Sequence, residues 1–299
     1  MRVPLVGGGP DSGDWSTIRW SMDGIPILLA EPDGYLERVG DDVDAPLDGL
    51  RFPSLAYLSR YLPLLMAPSA PLRRAIRGAL QEHLRAPARL AVELGCGVGV
   101  DLRTLADFAD EVIGIDLSIA GLRAAQKQLA GEPVPLLRRI EGRSFTSDDP
   151  IHLPAVEGVY LAVGNALDPP LYAEVADVVL AVNLLDTVSD PLTLMGQIDA
   201  ILKPGGLLIL TTPLSWNEDI TDPERALGGG VDERWALLGT AAGLVELLSG
   251  RMPVLPYLRY DILAQSDVPW SLREHARSVT TYDVHVLVAR KQALIDAPT

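Results

Sequence analysis

Three glycines and two carboxylates in the first half of the chain form the pattern with the clearest chemical meaning. Gly95, Gly97 and Gly99 follow an apolar run that contains Glu93, and Asp116 ends the next apolar run. Glycines permit the tight turn and the close backbone approach that a nucleoside requires at the tip of a buried parallel strand. An acidic residue at the tip of the second strand can accept both hydroxyl protons of a ribose. The pattern therefore predicts a cofactor that contains a nucleoside.

Glu93 narrows the kind of cofactor. Dinucleotide enzymes use the spacing Gly-x-Gly-x-x-Gly, because a pyrophosphate must be held at the N-terminus of the following helix. Here the spacing is Gly-x-Gly-x-Gly, and Glu93 places a carboxylate next to the turn. A carboxylate attracts a cationic amino-acid tail and repels a phosphate. We therefore expect the ligand to carry a positive charge near this turn.

Strand and helix patterns alternate regularly around this motif. The predicted strands cover 90–94, 111–116, 134–140, 158–163, 177–183, 207–212, 257–265 and 282–290. The predicted helices cover 99–108, 118–129, 191–202 and 233–249. Such alternation implies right-handed crossovers and a mostly parallel sheet with helices on both faces. The fold class predicted is therefore α/β.

The N-terminal part of the chain has a different pattern. Residues 1–52 are rich in Gly, Pro and Asp and are interpreted as an extended arm, with turns between short extended pieces. Leucines at three- and four-residue spacing predict a helical lid over 53–86, before a catalytic domain over 87–299. Tyr57 and Tyr61 of the lid are candidates for lining the acceptor pocket, and core packing is their alternative role.

Residues 88–213 resemble the Rossmann-like S-adenosylmethionine-dependent methyltransferases. The resemblance lies in Glu93-x-Gly-x-Gly-x-Gly, in Asp116, in Gly164-Asn-Ala-Leu-Asp-Pro and in the turn Lys203-Pro-Gly-Gly. It implies a seven-stranded, mostly parallel sheet with an antiparallel last strand, and S-adenosyl-L-methionine as the cofactor. The residues that it implies for cofactor binding are Glu93, Gly95, Cys96, Gly97, Gly99, Asp116 at the ribose, Leu117 beside the adenine, Asn165, Ala166 and Asn183.

A second resemblance concerns the methyl acceptor. Asn183-Leu-Leu-Asp186, followed by Asp-Pro, is similar to two groups of histidine imidazole methyltransferases. One group modifies protein histidines, and the other is the C-terminal methyltransferase domain of the ovothiol-forming enzyme. The segments 212–229 and 267–277 are similar to the ovothiol domain, with matches at Trp216, Glu218, Thr221, Leu227, Gly228, Gly229, Arg273 and Glu274. The resemblance makes Trp216, Glu218 and Arg273 candidates for substrate binding, and anchoring of their loop is the alternative role of Trp216 and Glu218.

An imidazole acceptor suits these residue types. A histidine ring ordinarily titrates near pH 6.5, so at pH 7 it is largely neutral and offers a lone pair without a strong base. Asp186 is predicted to hold the opposite N–H, fix the tautomer and stabilise the imidazolium, with a helix cap before 191–202 as its alternative role. Asn183 is predicted to hydrogen-bond the ring or the cofactor. Tyr282, which opens the last strand, is a further candidate catalytic residue. His285 and the other histidines are interpreted as structural.

Two other functions stay open on the sequence. The first is an O-methyltransferase that acts on a carboxyl or hydroxyl group of a small natural product, with Arg273 as a positive donor for a carboxylate substrate. The second is a non-catalytic subunit that binds the cofactor and steadies a partner. The intact motif residues argue against the second.

Composition excludes several other classes. The chain has 299 residues and a formal net charge of −15 at pH 7, so it repels a phosphate backbone and nucleic acid is not an expected partner. No apolar run reaches the roughly 18–20 residues that a membrane helix needs. With no export signal and a single cysteine, Cys96, we expect a cytoplasmic protein. Neither a metal site nor an oligomeric state is indicated, and the expected partner is a small-molecule or peptide substrate.

Overall fold

The structure is a computed structural model that describes residues 19–21, 23–43, 45, 47, 50–228 and 233–293. Two predictions, the first part of the extended arm at 1–18 and the matching position Gly229, lie outside these described residues. In the part of the chain that is described, no helix is both long and apolar enough to cross a membrane.

The described strands build one large sheet and one separate hairpin. In chain order the strands are β1 Arg19–Trp20, β2 Pro26–Ile27, β3 Ala88–Leu94, β4 Ala109–Asp116, β5 Val134–Glu141, β6 Ser144–Ile151, β7 Val159–Val163, β8 Ala176–Val182, β9 Leu202–Thr212, β10 Tyr260–His275 and β11 Ser278–Lys291. The large sheet has the order β1-β2-β7-β4-β3-β8-β9-β11-β10.

Strand directions in the large sheet confirm the predicted α/β methyltransferase sheet. The neighbours from β2 to β9 run parallel, whereas the last strand, β11, is antiparallel to both β9 and β10. The seven strands from β7 to β10 form the predicted sheet, and β1 and β2 extend it at one edge. The N–H of Leu28 donates to the carbonyl of Val163 at 2.8 Å, which ties this extension to β7.

Helices cover both faces of the sheet. The helices are α1 Pro32–Val39, α2 Phe52–Tyr61, α3 Pro71–His83, α4 Leu102–Ala106, α5 Ile119–Leu129, α6 Pro191–Ile201 and α7 Glu233–Leu248. Successive strand residues point to opposite faces. Leu90, Val92 and Leu94 therefore pack with α6 and α7, whereas Ala91 packs with α3, α4 and α5.

The strand predicted at 134–140 forms, but outside the large sheet. It is β5, and it pairs antiparallel with β6, a stretch for which no strand was predicted. The physical reason lies in the residues. A central parallel strand is buried on both faces and needs a nearly continuous apolar run, whereas β5 carries Arg138 and Arg139, and β6 is mostly polar. Gly142, with φ of 50°, makes the turn between the two strands.

Three further boundaries differ from the prediction. The helix predicted at 99–108 is shortened to α4, because the glycine turn occupies its first residues. The strand predicted at 257–265 is β10, which continues to His275, so most of the segment 267–277 is strand. The described part of the predicted arm includes the helix α1. The division into arm, lid and catalytic domain stays a prediction.

Candidate active site

The glycine turn leaves β3 at the carboxyl edge of the sheet. Gly95, Gly97 and Gly99 have φ angles of 73°, 53° and 75°, in the left-handed region that favours glycine. A Cβ atom added to Gly95 would lie 2.8 Å from the Leu184 side chain, and one added to Gly97 would lie 2.6 Å from the Tyr57 hydroxyl oxygen. Glycine is therefore required here for two reasons. The backbone is left-handed, and a Cβ atom would clash with the side chains that pack on the turn.

Asp116 ends β4 and lies against this turn. Its Oδ2 accepts a hydrogen bond from the N–H of Gly97 at 2.7 Å, and its Oδ1 accepts one from the N–H of Ser118 at 2.7 Å. Burial raises the pKa of Asp116, and these backbone donors oppose the rise. The carboxylate is therefore held rigidly beside the turn. The adjacent Leu117 is 47% exposed and presents an apolar surface there.

The thiol of Cys96 is directed into the core. The side chain is buried, and burial raises the pKa of the thiol well above its ordinary value. A Cβ atom added to Gly114 would lie 2.9 Å from the Cys96 sulfur, so the thiol packs beneath β4. A ligand on the turn would meet the backbone of Cys96 and not its sulfur.

Glu93 is a buried acid with an unsatisfied oxygen. It is 2% exposed, and its Oε2 has no hydrogen-bond partner among the described residues. Burial raises the pKa of Glu93 well above its ordinary value, and the nearby carboxyls of Asp101 and Asp116 add to the rise. Arg73 of α3, which lies 3.7 Å from the Asp101 carboxylate, is the cation that opposes it. Three carboxyls share one arginine here, so a positively charged ligand would favour their ionised forms.

The loop after β7 borders Asp116. The N–H of Gly164 donates to the carbonyl of Asp116 at 3.1 Å. The side-chain oxygen of Asn165 accepts from the N–H of Leu167 at 3.0 Å, which stabilises the loop itself. Ala166 is buried beneath the loop. The amide NH₂ of Asn165 is a donor of the kind that an adenine ring nitrogen accepts from.

Asn183 follows β8 in a left-handed conformation, with φ of 51°. Its side-chain oxygen accepts a hydrogen bond from the Thr211 hydroxyl at 2.9 Å, and its backbone N–H donates to the Thr211 carbonyl at 2.8 Å. These bonds fix the amide so that its buried Nδ2 has no partner in the described structure. A buried donor without a partner costs free energy, about 1–3 kcal/mol, unless a ligand satisfies it.

Asp186 is fully buried in the 3₁₀ turn Leu185–Thr187. Its Oδ2 accepts from the N–H of Ser215 at 2.8 Å, and its Oδ1 has no hydrogen-bond partner among the residues that are described. Burial raises the pKa of Asp186, while Ser215 and the nearby Thr212 hydroxyl oppose the rise. Helix capping does not explain this carboxylate, because Asp190 is the residue that caps α6, by accepting from the N–H of Thr193 at 3.0 Å.

Aromatic side chains of the lid lie between the glycine turn and the last strand. The Tyr57 and Tyr61 rings stack with centroids 4.6 Å apart. Burial raises the pKa of both hydroxyls, with smaller contributions from Asp116 to each and from Tyr282 to Tyr61. Tyr282 of β11 packs on Trp270, with centroids 5.8 Å apart. The structure thus brings the three predicted tyrosines together on one side of the turn.

The predicted substrate-binding residues of the later loops are spread over a wider area. Trp216 is partly buried against the apolar cluster under α6 and α7, and Glu218 is exposed. Arg273 lines a cleft with Ser59 and Arg139, on the opposite side of α2 from Tyr57. The structure therefore does not bring Arg273 together with Asn183 and Asp186.

Three contributions to the site carried no local sequence signal. Tyr35 of α1 donates from its hydroxyl to the carbonyl of Leu117 at 2.8 Å. Arg73 of α3 donates to the carbonyl of Val100 at 2.9 Å, and this bond holds its guanidinium beside the carboxyls of Glu93 and Asp101. His285, interpreted from the sequence as structural, has Nδ1 at 2.8 Å from the Asp267 carboxylate. Only the packing of distant segments reveals these contacts.

The residues present fit S-adenosylmethionine. Its amino-acid ammonium and sulfonium are positive, and the buried Glu93 carboxylate with an unpartnered oxygen is suited to such charges. Its ribose offers two hydroxyl donors, and the carboxylate of Asp116 is an acceptor beside the turn. The left-handed backbone of the glycine turn holds Gly97 against Asp116, so the ribose acceptor and the backbone of the turn lie side by side.

Comparison with known proteins supports the same conclusion. A family model described as "Methyltransferase domain" matches residues 69–251, more than half of the chain. The ubiquinone biosynthesis O-methyltransferase of Histophilus somni is 28% identical over 121 residues, which cover 40% of this chain and 43% of that protein. An uncharacterised 37.1 kDa transposon protein of Streptomyces fradiae is 31% identical over 144 residues, which cover 47% of this chain and 35% of that protein. The chain spans less than half of the length of the curated relatives that it matches.

Two solved structures illustrate the range of similar chains. YcgJ of Bacillus subtilis has 13% identity and a TM-score of 0.45, with 74% of this chain and 99% of that chain covered. The N-methyltransferase NodS of Bradyrhizobium japonicum has 14% identity and a TM-score of 0.46, with 76% of this chain and 91% of that chain covered. The family assignment rests on the sequence match over residues 69–251. The chain belongs to this family of methyltransferase domains, whose members use S-adenosylmethionine as the methyl donor.

Proposed function

We propose that this protein transfers a methyl group from S-adenosylmethionine to a nitrogen of an imidazole ring in a small molecule or peptide, in the cytoplasm. One observation carries the proposal. At the tip of β8, the buried Asp186 carboxylate and the buried Asn183 amide each have an atom without a hydrogen-bond partner among the described residues. A neutral ring that becomes positive on methylation would use both groups.

Charge explains why a carboxylate belongs at this position. Bound S-adenosylmethionine supplies an electrophilic methyl group, and a neutral imidazole needs no prior deprotonation to attack it. The positive charge then moves onto the ring. Asp186 is shielded from water, so its negative charge acts on the ring through a low effective dielectric. Asn183 would donate from Nδ2 to the acceptor or to the cofactor and so fix their orientation.

The remaining residues hold the cofactor and exclude water. We assign Glu93 to the cationic tail, Asp116 to the ribose hydroxyls, and Leu117 with Asn165 and Ala166 to the adenine. The predicted walls of the acceptor pocket are Tyr57, Tyr61, Tyr282 and Trp216. Alignment of acceptor and methyl group in a dry pocket would supply most of the rate enhancement.

The test combines binding and turnover. Calorimetric titration with S-adenosylmethionine should show one site per chain. Incubation with N-acetylhistidine and with a histidine-containing dipeptide should then add the mass of one methyl group. Asp186→Asn should lower kcat about 100-fold and Asn183→Ala about tenfold, with cofactor affinity nearly unchanged for Asp186→Asn.

Asp190→Asn is the matched control. It removes a nearby carboxylate that caps α6, and it should turn over at the wild-type rate. Wild-type turnover by both Asp186→Asn and Asn183→Ala would contradict the assignment of the β8 tip. Failure to bind S-adenosylmethionine would contradict every catalytic proposal for this chain.

A second candidate function is transfer to a hydroxyl oxygen. The name of the Histophilus somni relative, an O-methyltransferase, favours it. A catechol probe in the same mass assay separates the two, because an O-methyltransferase should methylate the catechol and leave the imidazole probes unchanged. Binding of S-adenosylmethionine without transfer to any of these probes is the result expected of a non-catalytic subunit.

A further inference from the structure

His285 occupies an unusual position in the sheet. It lies on β11, directly opposite Thr212 of β9 on one side and Asp267 of β10 on the other. It is 8% exposed, whereas the side chain of Asp267 on the edge strand is 70% exposed. A buried imidazole is thus connected to the surface through one exposed carboxylate.

The two ring nitrogens of His285 have different environments. Nδ1 lies 2.8 Å from the Asp267 carboxylate, which can only accept when ionised, so Nδ1 carries the hydrogen of the neutral ring. Nε2 is then left with a lone pair. It is buried and has no hydrogen-bond partner within the described part of the chain. A histidine that served packing alone would be expected to have both nitrogens satisfied.

The register places this lone pair near the proposed acceptor site. Residues directly opposite on paired strands share a face, so His285 and Thr212 lie side by side. The Thr212 hydroxyl is also close to the carboxyl of Asp186. The described charged groups around His285 are therefore Asp267 of β10, Asp186 beyond Thr212, and Asp283, two residues earlier on the same face of β11. His285 and Asp186 are therefore both neighbours of Thr212, the last residue of β9.

We propose that His285 is the base of the methyl transfer and that Asp267 is its positioning residue. This inference rests on the proposed function and reassigns the acceptor N–H from Asp186 to Nε2 of His285. The acceptor nitrogen bonds to the methyl carbon as the carbon–sulfur bond breaks, and that electron pair stays on sulfur. The N–H proton of the methylated ring passes to Nε2. The product leaves neutral, and the imidazolium of His285, paired with Asp267, returns its proton to water.

Asp186 and His285 then have separate tasks. The carboxylate of Asp186 stabilises the positive charge of the ring during transfer. If Asp186 took the proton, it would lose the charge with which it stabilises the ring, so a separate base is needed, and a neutral imidazole with a free lone pair can act as one. Because Asp267 holds Nδ1, the ring presents only its lone pair to the pocket.

Nuclear magnetic resonance tests the arrangement without an acceptor. The chain has 4 histidines, so the ring nitrogens of ¹⁵N-histidine-labelled protein can be assigned with His285→Gln. At pH 8 we expect His285 with hydrogen on Nδ1 and a bare Nε2, and we expect Asp267→Asn to change this tautomer balance. A hydrogen on Nε2 in the wild type would overturn the proposal.

Turnover of N-acetylhistidine tests the role itself. His285→Gln should lower kcat about 100-fold, and Asp267→Asn about tenfold, with the affinity for S-adenosylmethionine retained. The rise of kcat with pH that a base produces should be present in the wild type and absent in His285→Gln. If His285→Gln does not fold, Asp267→Asn still tests the role, because a substitution at an exposed side chain should leave the fold intact. Asp267→Glu should restore most of the rate.

His152→Gln is the control, since that exposed histidine lies on the loop after β6. If His285→Gln and Asp267→Asn both keep kcat within about threefold of the wild type, the proposal is wrong. If the wild type binds S-adenosylmethionine but methylates no imidazole probe, the proposed acceptor fails instead. In that case the tautomer found by magnetic resonance still tests the hydrogen bond between His285 and Asp267: hydrogen on Nδ1 supports it, and hydrogen on Nε2 contradicts it.

Discussion

The contact between Gly97 and Tyr57 offers a quantitative test of the glycine turn. Gly97 has φ of 53°, so an alanine there would be held in a left-handed conformation at a cost of about 1–2 kcal/mol. Its Cβ would also lie 2.6 Å from the Tyr57 hydroxyl oxygen, which is too close for any real contact. Tyr57 is packed on Tyr61 and cannot move without cost. Overpacking of this kind adds about 1–3 kcal/mol.

A second substitution separates the two costs. Without its hydroxyl, the nearest Tyr57 ring carbon would lie 3.9 Å from the added Cβ, an ordinary van der Waals distance. Gly97→Ala alone should therefore lower the free energy of unfolding by about 2–5 kcal/mol. In a Tyr57→Phe background, only the backbone cost of about 1–2 kcal/mol should remain.

Urea denaturation of the four proteins in this double-mutant cycle gives the coupling free energy, which we expect at about 1–3 kcal/mol. Gly142→Ala is the control, because Gly142 has nearly the same φ, 50°, with no atom within 4 Å of its added Cβ. It should show the backbone cost alone. Additivity of Gly97→Ala and Tyr57→Phe within about 0.5 kcal/mol would show that the lid tyrosine does not rest on the turn.

Three further results are expected. Asp116→Asn should weaken binding of S-adenosylmethionine at least about tenfold by calorimetry, because a charged acceptor for two hydroxyl donors is lost; unchanged affinity would remove Asp116 from the ribose site. Asp190→Ala should lower the free energy of unfolding by about 1 kcal/mol in urea, since it deletes the cap of α6. Burial raises the pKa of Glu93, and that of Asp101 to about 6, so the native state retains protons that the unfolded chain has lost. Stability of the ligand-free protein should therefore fall as pH rises from about 4 through 6, and Glu93→Gln should flatten this slope.

Local patterns predicted the elements to which we assign cofactor binding. Strand β3, the turn and strand β4 are specified by a continuous apolar run, by glycines and by a terminal acid, all within thirty residues of sequence. The same type of pattern located α5 and α6. These predictions succeeded because a buried parallel strand requires a continuous apolar run and its helix requires apolar residues at helical spacing. Both patterns can be recognised within a short stretch of sequence.

Contacts between distant segments could not be predicted in this way. Asp267 meets His285 only because β10 and β11 pair in one register, and a shift by one residue would put the two side chains on opposite faces. Arg73 reaches Asp101 only because α3 packs across the turn. Strand β5 lies in a hairpin and not in the large sheet. Its polar residues are typical of a strand with a solvated face, whereas a strand buried in a parallel sheet is nearly all apolar.

Four buried polar atoms without a hydrogen-bond partner in the described structure belong to residues for which we propose a role in the reaction. In the described residues, the free oxygens of Glu93 and Asp186, the amide nitrogen of Asn183 and Nε2 of His285 are buried polar atoms without hydrogen bonds. Each of them costs stability in the free protein, and the extensive apolar packing on both faces of the sheet offsets that cost. Two of these groups are carboxylates that favour a positive ligand, and two are neutral groups that can orient an acceptor. In the proposed reaction the positive charge lies first on the donor sulfur and then on the methylated ring, and carboxylates at separate strand tips would stabilise it in both positions.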